Sequence, residues 1–319
     1  MIFYEKNLEK TLFHTLFKHS TEFKQGQIFL FLLKFGSMDE LPLIGMGTFR
    51  VKDKNLLIHA IFQGYRHFDL AENYDNLEIV KEALQFAFSQ GLSRSEFWIT
   101  MKVFFIKNEA HIDRLLEALG LQYFDLLLFH GPFHLFENED SLFRNWQFIC
   151  SFQSFKVRRA GVSNFYRPHL ERLLLICADH DLPHPFANQI QMSPFVFDED
   201  LLSFCRDADI KIISYSPLGF EYSNMLLYNN FLLQIANSLH VSAAEIALGW
   251  LLQKGVYVIP TSSKIEHLAE NLKAENVKVH LTPSMIQMIN EIHLSFDCQT
   301  MFLIDVALSA IEHGNLLTW

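Results

Sequence analysis

A closed parallel barrel of the (β/α)8 TIM type is the fold this 319-residue chain predicts. From residue 43 onward, short apolar runs rich in β-branched and aromatic residues alternate with longer stretches whose apolar residues recur at three- and four-residue spacing. Eight such runs can be drawn, the number that closes a barrel. Asp69, Lys102 and His130 each close one of these runs, and Tyr74 follows five residues after the aspartate. In a parallel barrel the C-terminal strand ends meet on one face, so these four are expected to form one polar cluster there.

The expected strands are, in order, LIGMG, RHFD, FWITMK, LLLFH, AGVS, ANQIQ, KIISYS and YVIP. Between them, NLEIVKEALQFAFSQG, EAHIDRLLEALG, DSLFRNWQFICSFQS, PHLERLLLICADH, EDLLSFCRDAD and SAAEIALGWLLQKG carry helical periodicity. Gly91, Gly120 and Gly255 stand where three of these helices should stop. Ser242 and Glu245 make the capping-box spacing that starts the last of them. No Pro- or Ser-rich linker interrupts the rhythm, so residues 38–319 are expected to form a single domain. Residues 1–37, with an apolar helical stripe followed by the run IFLFLLKF, read as an N-terminal extension. That run is too short for a bilayer, which needs about 20 residues, and no cleavage site for a signal peptide follows it.

A phenol, an ammonium, a carboxylate and an imidazole at one barrel mouth suit proton transfer. The free phenol, with a pKa of roughly 10, is a poor proton donor or acceptor near neutrality. Lys102 beside Tyr74 is expected to favour the phenolate and lower that pKa, with Asp69 keeping the ammonium charged. His130 is then placed to polarise a carbonyl oxygen beside the phenol.

Composition narrows the partners. A net charge of −10 with no Lys/Arg run argues against nucleic acid or an anionic membrane. The four cysteines, Cys150, Cys177, Cys205 and Cys298, lack ligand spacing and read as reduced thiols of a cytoplasmic protein. Fifteen histidines are scattered without an HExxH or HxH pair, so no metal site is expected and His134 reads as a loop histidine. Most of the 32 phenylalanines fall on apolar stripes and fill core, whereas Phe49 and Phe133 follow strand ends and are candidates to line a pocket.

Taken together, GMGTF, GYRHFDLAENYDN, TMK, LLLFHGP, GVSNF, ANQIQMSP, SYSPLG and VIPTSSKIEHLAEN resemble the aldo-keto reductase family, especially its bacterial diketogluconate reductase branch. The likeness spans roughly residues 40–298 in unbroken order. It implies nicotinamide-dependent reduction of aldehydes or ketones, with Tyr74 as general acid, Lys102 and Asp69 tuning it, and His130 orienting a small-molecule carbonyl substrate. It also implies that Ser163, Asn164 and Gln189 bond the nicotinamide carboxamide and that Tyr215 stacks on the ring. Gly47 and Thr48 fall in the cofactor site by the same likeness. Ser216 and Leu218 match residues along the pyrophosphate, and Glu270 and Asn271 match adenine contacts.

Departures from the family pattern carry information too. Thr261 stands where lysine is common, and His267 where an arginine grips the adenosine 2′-phosphate. Thr261, Ser262, Ser263 and a helix N-terminus still offer donors, so NADPH is the expected cofactor with NADH possible. Gly131 and Phe49 each replace a common tryptophan, and Leu70 and Leu77 replace a threonine and a glutamate near the aspartate and phenol. The segment 299–319 loses the resemblance, which leaves substrate choice open. A monomer is expected. The competing expectation is a non-catalytic nicotinamide-binding barrel that senses redox state or docks a partner, and a lyase would need a metal cluster or a differently surrounded lysine.

Overall fold

The computed structural model describes residues 40–132, 139–152 and 156–293. The N-terminal extension, His134, Phe133 with the rest of the 133–138 loop, Cys298 and the 299–319 segment lie outside the described residues. The elements run β1 (Met46–Gly47), α1 (Lys54–Gln63), β2 (His67–Ala71), α2 (Leu77–Ser89), β3 (Trp98–Val103), α3 (Glu109–Leu119), β4 (Phe124–Phe129), α4 (Glu139–Ser151), β5 (Val157–Ser163) and α5 (Arg167–Asp179). They continue with β6 (Ala187–Gln191), α6 (Glu199–Asp207), β7 (Lys211–Tyr215), α7 (Ser223–Leu227), α8 (Asn230–Leu239), α9 (Ala243–Gln253), β8 (Tyr257–Ile259), α10 (Ile265–Val277) and α11 (Pro283–Asn290).

All eight strands pair in parallel in chain order. The ring closes between the last strand and the first: Ile44 bridges Val258, Gly45 N donates to Val258 O at 2.8 Å and Val258 N to Leu43 O at 3.0 Å. This is the TIM barrel that the alternating pattern predicts. The regular part of β1 is shorter than the run LIGMG suggests, because much of that run reaches β8 through isolated bonds.

Period-two alternation sends every second strand residue inward. Trp98, Leu126, Leu128, Ala187, Ile213 and Ile259 pack together with Leu41 as an apolar core cluster. Bulk on one wall is met by small residues on another: a Cβ on Gly161 would stand 2.7 Å from Leu128 Cδ2 and 2.6 Å from Ala187 O. Strand tilt sets the next layers. His67 registers with Trp98 yet bonds Thr100, and Asp69 registers with Thr100 yet pairs with Lys102, each contact falling two residues up the neighbouring strand.

Helix ends follow the expected chemistry. Ser242 Oγ accepts from Glu245 N at 3.1 Å while Glu245 Oε2 accepts from Ser242 N at 2.8 Å, completing the capping box of α9. Gly120 ends α3 in the left-handed region at φ 66°, where a side chain is strained. Helices α1, α7, α8 and α11 were not among the expected elements. α1 is nonetheless capped at both ends, by the Asp53 side chain on Asn55 N and by Gly64 at φ 117°.

At the barrel's N-terminal end, away from the tetrad, the fully buried Asp125 accepts from Arg94 at 2.6 Å, Arg158 at 3.3 Å and Ile99 N at 2.8 Å. Both guanidiniums lie against the Tyr123 ring, at 4.0 and 4.1 Å. Burial pushes the Asp125 carboxyl pKa up, and the two arginines oppose that shift. Cys150, Cys177 and Cys205 are free thiols on α4, α5 and α6, pushed by burial up to about 12, 11 and 12, as expected of inert core cysteines.

Candidate active site

The four residues singled out from the sequence meet at the C-terminal mouth. Asp69 is third in β2, Lys102 fifth in β3, and His130 lies just beyond β4, its N–H donating to Val103 O at 2.8 Å. Tyr74 ends the short 3-10 turn Glu72–Tyr74 that leaves β2. Lys102 Nζ is bonded to Asp69 Oδ2, and both groups are buried. The ammonium lies 5.0 Å from the centroid of the Tyr74 ring, and the Tyr74 and His130 rings stand at 72° with centroids 6.1 Å apart.

Burial dominates the electrostatics of this cluster. It drives the Tyr74 phenol well above its ordinary pKa, and the neighbouring Asp69 carboxylate adds to the rise. This corrects the expectation that Lys102 lowers it: the ammonium is matched by Asp69, so its field at the phenol is largely cancelled. Burial also pulls Lys102 downward, against the opposing pull of Asp69. His130 falls to about 3, through burial first and then the Lys102 charge. At neutral pH the mouth therefore holds a protonated phenol and a neutral imidazole, which are two donors suited to one oxygen atom.

Around them lies a second ring of polar groups from β5, β6 and β7. Gln189 Nε2 donates to Asp69 Oδ1 at 2.6 Å. Asn164 Nδ2 donates to His130 O at 2.9 Å, and Tyr215 donates its hydroxyl hydrogen to Asn164 Oδ1 at 2.9 Å. Ser163 Oγ donates to Gln189 O at 2.8 Å. Asn164 holds φ 60° and Ser216 φ 50°, conformations that non-glycine residues tolerate mainly where surrounding contacts hold them. Thr48 N and Oγ1 both donate to Asp69 O, at 3.1 and 2.8 Å, so the candidate cofactor threonine also anchors the aspartate's backbone.

Phe49 packs its ring 5.1 Å from Tyr74, in keeping with a place in the pocket wall, and Gly131 is buried. Arg50 reaches Glu221 at 3.2 Å and lies against the Phe49 and Phe220 rings, joining the loop after β1 to the loop after β7. Leu218 is half-buried in that second loop, whose turn is closed by Gly219 N on Ser216 O at 2.9 Å.

The remaining candidates cluster at β8 and α10. Thr261 Oγ1 donates to Gly47 O at 3.0 Å, tying this group to the mouth. Ser262 Oγ donates to Lys264 O at 2.9 Å and accepts from Lys264 N at 3.0 Å. Both hydroxyl hydrogens are thus used within the protein, which leaves Ser263, Lys264 and the first N–H groups of the 13-residue α10 as donors toward an anion. Ser263 and His267 are exposed and Glu270 is half-buried. Asn271 is buried and hydrogen-bonds the Tyr65 hydroxyl, so it also serves the packing of α10.

These two donor sets fit a dinucleotide: amide and hydroxyl groups with a tyrosine ring beside the tetrad, and a helix N-terminus with a lysine at the far end. Phe104, Glu72 and His111 were not singled out from the sequence. Phe104 stacks on the His130 ring, with centroids 4.9 Å apart and planes at 23°. Its place two residues after Lys102, at the same strand end, is the signal that could have found it.

An eight-stranded parallel barrel whose mouth gathers two neutral proton donors and a buried ion pair, with amide and hydroxyl donors around them, suits a barrel oxidoreductase. Residues 44–294 match the model of the aldo/keto reductase family, and the chain belongs to that family. The chain is 34% identical over 242 residues to a glyoxal reductase of Bacillus subtilis, covering 73% of this chain and 82% of the relative. With glycerol 2-dehydrogenase (NADP+) of Saccharomyces cerevisiae it shares 30% over 272 residues, covering 76% and 85%. The crystal structure of an aldo/keto reductase from Brucella melitensis superposes with a TM-score of 0.68 at 29% identity, over 79% of this chain and 95% of that one. The protein is an NAD(P)H-dependent oxidoreductase that reduces aldehydes or ketones, and these likenesses favour an enzyme over a non-catalytic binding module. Among the described residues no three His, Cys, Asp or Glu side chains gather as metal ligands, and no single helix is long and apolar enough to cross a membrane.

Proposed function

We propose that this barrel reduces small aldehydes, dicarbonyls or keto sugars to alcohols, with Tyr74 as general acid and NADPH as the preferred cofactor. Bound at the mouth, the reduced nicotinamide supplies hydride to the carbonyl carbon. Tyr74 holds a proton on its phenol oxygen and gives it to the carbonyl oxygen as negative charge develops there. His130, neutral at working pH, donates an N–H to the same oxygen and fixes the carbonyl's direction. Lys102 stands against the phenol ring, 5.0 Å from its centroid, and Asp69 holds that ammonium in place. Ser163, Asn164, Gln189 and Tyr215 form the carboxamide and ring side of the cofactor site.

The observation that carries this reading is the approach of the Tyr74 and His130 rings to 6.1 Å, both in their donor states. The NADPH preference is supported by the α10 N-terminus with Lys264 and by a relative named for NADP+. The diketogluconate reductase branch rests on the eight motifs of the sequence, and a dicarbonyl substrate also suits the relative named as a glyoxal reductase. The protein is taken as a cytoplasmic monomer.

Reduction of methylglyoxal by the purified protein with NADPH, compared with its Tyr74→Phe variant, tests the mechanism. Loss of the general acid should lower kcat by about 10²- to 10⁴-fold, with NADPH still quenching or shifting protein fluorescence at the same concentration. Turnover that survives the substitution would refute Tyr74 as the proton donor.

A further inference from the structure

His130 is a donor whose orientation the backbone of its own strand does not settle. Among the described residues its buried Nδ1 has no hydrogen-bond partner. The ring is held instead by other rings: Phe104 stacks on its face at 4.9 Å, and Tyr74 stands at 72° to it with centroids 6.1 Å apart. Whatever holds Phe104 and the Tyr74 turn therefore holds the imidazole.

One carboxylate does both. Glu72 opens the 3-10 turn that carries Tyr74. Its Oε1 accepts from Phe104 N at 3.1 Å, and its Oε2 lies 2.9 Å from His111 Nε2. His111 is a buried residue in the first turn of α3, where its own N–H is capped by Asn108 Oδ1 at 3.1 Å. Bonds to a carboxylate are charge-assisted and roughly twice as strong as neutral ones, so this bridge outweighs an ordinary loop contact. It joins three segments of chain: the turn after β2, the loop after β3 and the start of α3.

We infer that Glu72, braced by His111, is a positioning residue for the reduction: it locks the Tyr74 turn to Phe104 and so holds the His130 imidazole in register with the phenol. This rests on the reading that Tyr74 and His130 together address the carbonyl oxygen. Glu72 touches no reacting atom in this scheme. What it controls is the spacing of two donors, and misplacement of about 1 Å at a reacting centre can cost on the order of a hundredfold in rate. Loss of the carboxylate removes its bonds to the Phe104 N–H and to His111, and so loosens the spacing of the two rings. A glutamine at the same position keeps an oxygen for the Phe104 N–H and an amide for the imidazole in its other tautomer.

The test compares wild type, Glu72→Ala and Glu72→Gln by two independent readouts. In histidine-labelled protein, with the His130 ring signal assigned by its loss in His130→Asn, the stacked Phe104 should give a ring-current shift. That shift should vanish in Glu72→Ala and persist in Glu72→Gln. In NADPH-dependent reduction, Glu72→Ala should lower kcat by roughly ten- to a hundredfold while NADPH still binds one-to-one with unchanged affinity. A larger isotope effect with deuterated NADPH should accompany that fall, and Glu72→Gln should recover most of the rate. An unmoved His130 signal in Glu72→Ala, or a glutamine variant as impaired as the alanine one, overturns the inference. Absence of carbonyl turnover in wild type that binds NADPH would overturn the reductase mechanism instead, and the His130 signal would still decide the positioning role.

Discussion

Gln189 Nε2 donates to Asp69 Oδ1 at 2.6 Å from across the barrel, while Lys102 holds the other oxygen of the same carboxylate. Asp69 is thereby shared by β2, β3 and β6, and neither of its oxygens is left bare in the interior. An amide has two N–H hydrogens and a carbonyl oxygen, so Gln189 can keep Asp69 and still meet a carboxamide. It locks the aspartate that fixes Lys102, and in the function proposed above it also contacts the cofactor.

Replacing Gln189 with alanine removes a donor from a buried carboxylate. The expected cost is about 1–3 kcal/mol of stability, together with weaker NADPH binding. Combining it with Asp69→Asn in a double-mutant cycle should give a clear coupling energy in the unfolding free energies. Additive losses would mean that the bond contributes nothing to either.

Acid should destabilise this barrel through His67 and His130. His67 bonds Thr100 at 3.0 Å and, like His130, is held at about 3 by burial and by Lys102. Both pKa values are depressed below the ordinary 6.5, so between pH 6.5 and 3 the unfolded chain binds more protons than the folded one. Stability should fall as pH drops through that window, by roughly 1.4 kcal/mol per pH unit for each histidine. Chemical denaturation at several pH values should show that slope, and His67→Gln should reduce it by one histidine's share.

Asp125 gives the complementary case, a buried group far from the chemistry. Asp125→Asn leaves Arg94, itself mostly buried, without its carboxylate. Breaking such a pair typically costs about 3–5 kcal/mol. The variant should melt much earlier, yet its kcat per NADPH-binding site should match wild type; an altered kcat would mean that strain at the base reaches the mouth.

Gly45→Ala should be costly for a steric reason alone. Its new Cβ would stand 2.4 Å from His67 Nδ1 and 2.7 Å from the ring carbon beside it, inside the closed barrel. The ring must move, and overpacking of this kind costs about 1–3 kcal/mol. An unchanged melting temperature would show that the interior relaxes more freely than its packing suggests.

Much of the fold was legible because its signals are local. Each expected strand was a short apolar run between turn residues, and each expected helix carried apolar residues at helical spacing, so periodicity alone located them. α1, α7, α8 and α11 escaped notice; α1 is buried along much of its length, which blurs the polar face that marks a surface helix. The tetrad was legible for a topological reason, since parallel strands bring their C-terminal ends together whatever lies between them. The protonation state of Tyr74 was not. A sequence shows that a lysine and a phenol will be near each other, but burial and the compensating Asp69 charge decide the direction of the shift.

The sequence by itself determined the barrel, the family and the residues able to do its chemistry, because strand order, residue type and position at strand ends are written along one dimension. The tertiary structure alone decided which of those residues share partners. That Gln189 reaches Asp69 from 120 positions away, and that Glu72 meets both Phe104 and His111, depends on strand tilt and loop packing. Those contacts arise from closing the sheet into a ring, and no local pattern encodes them.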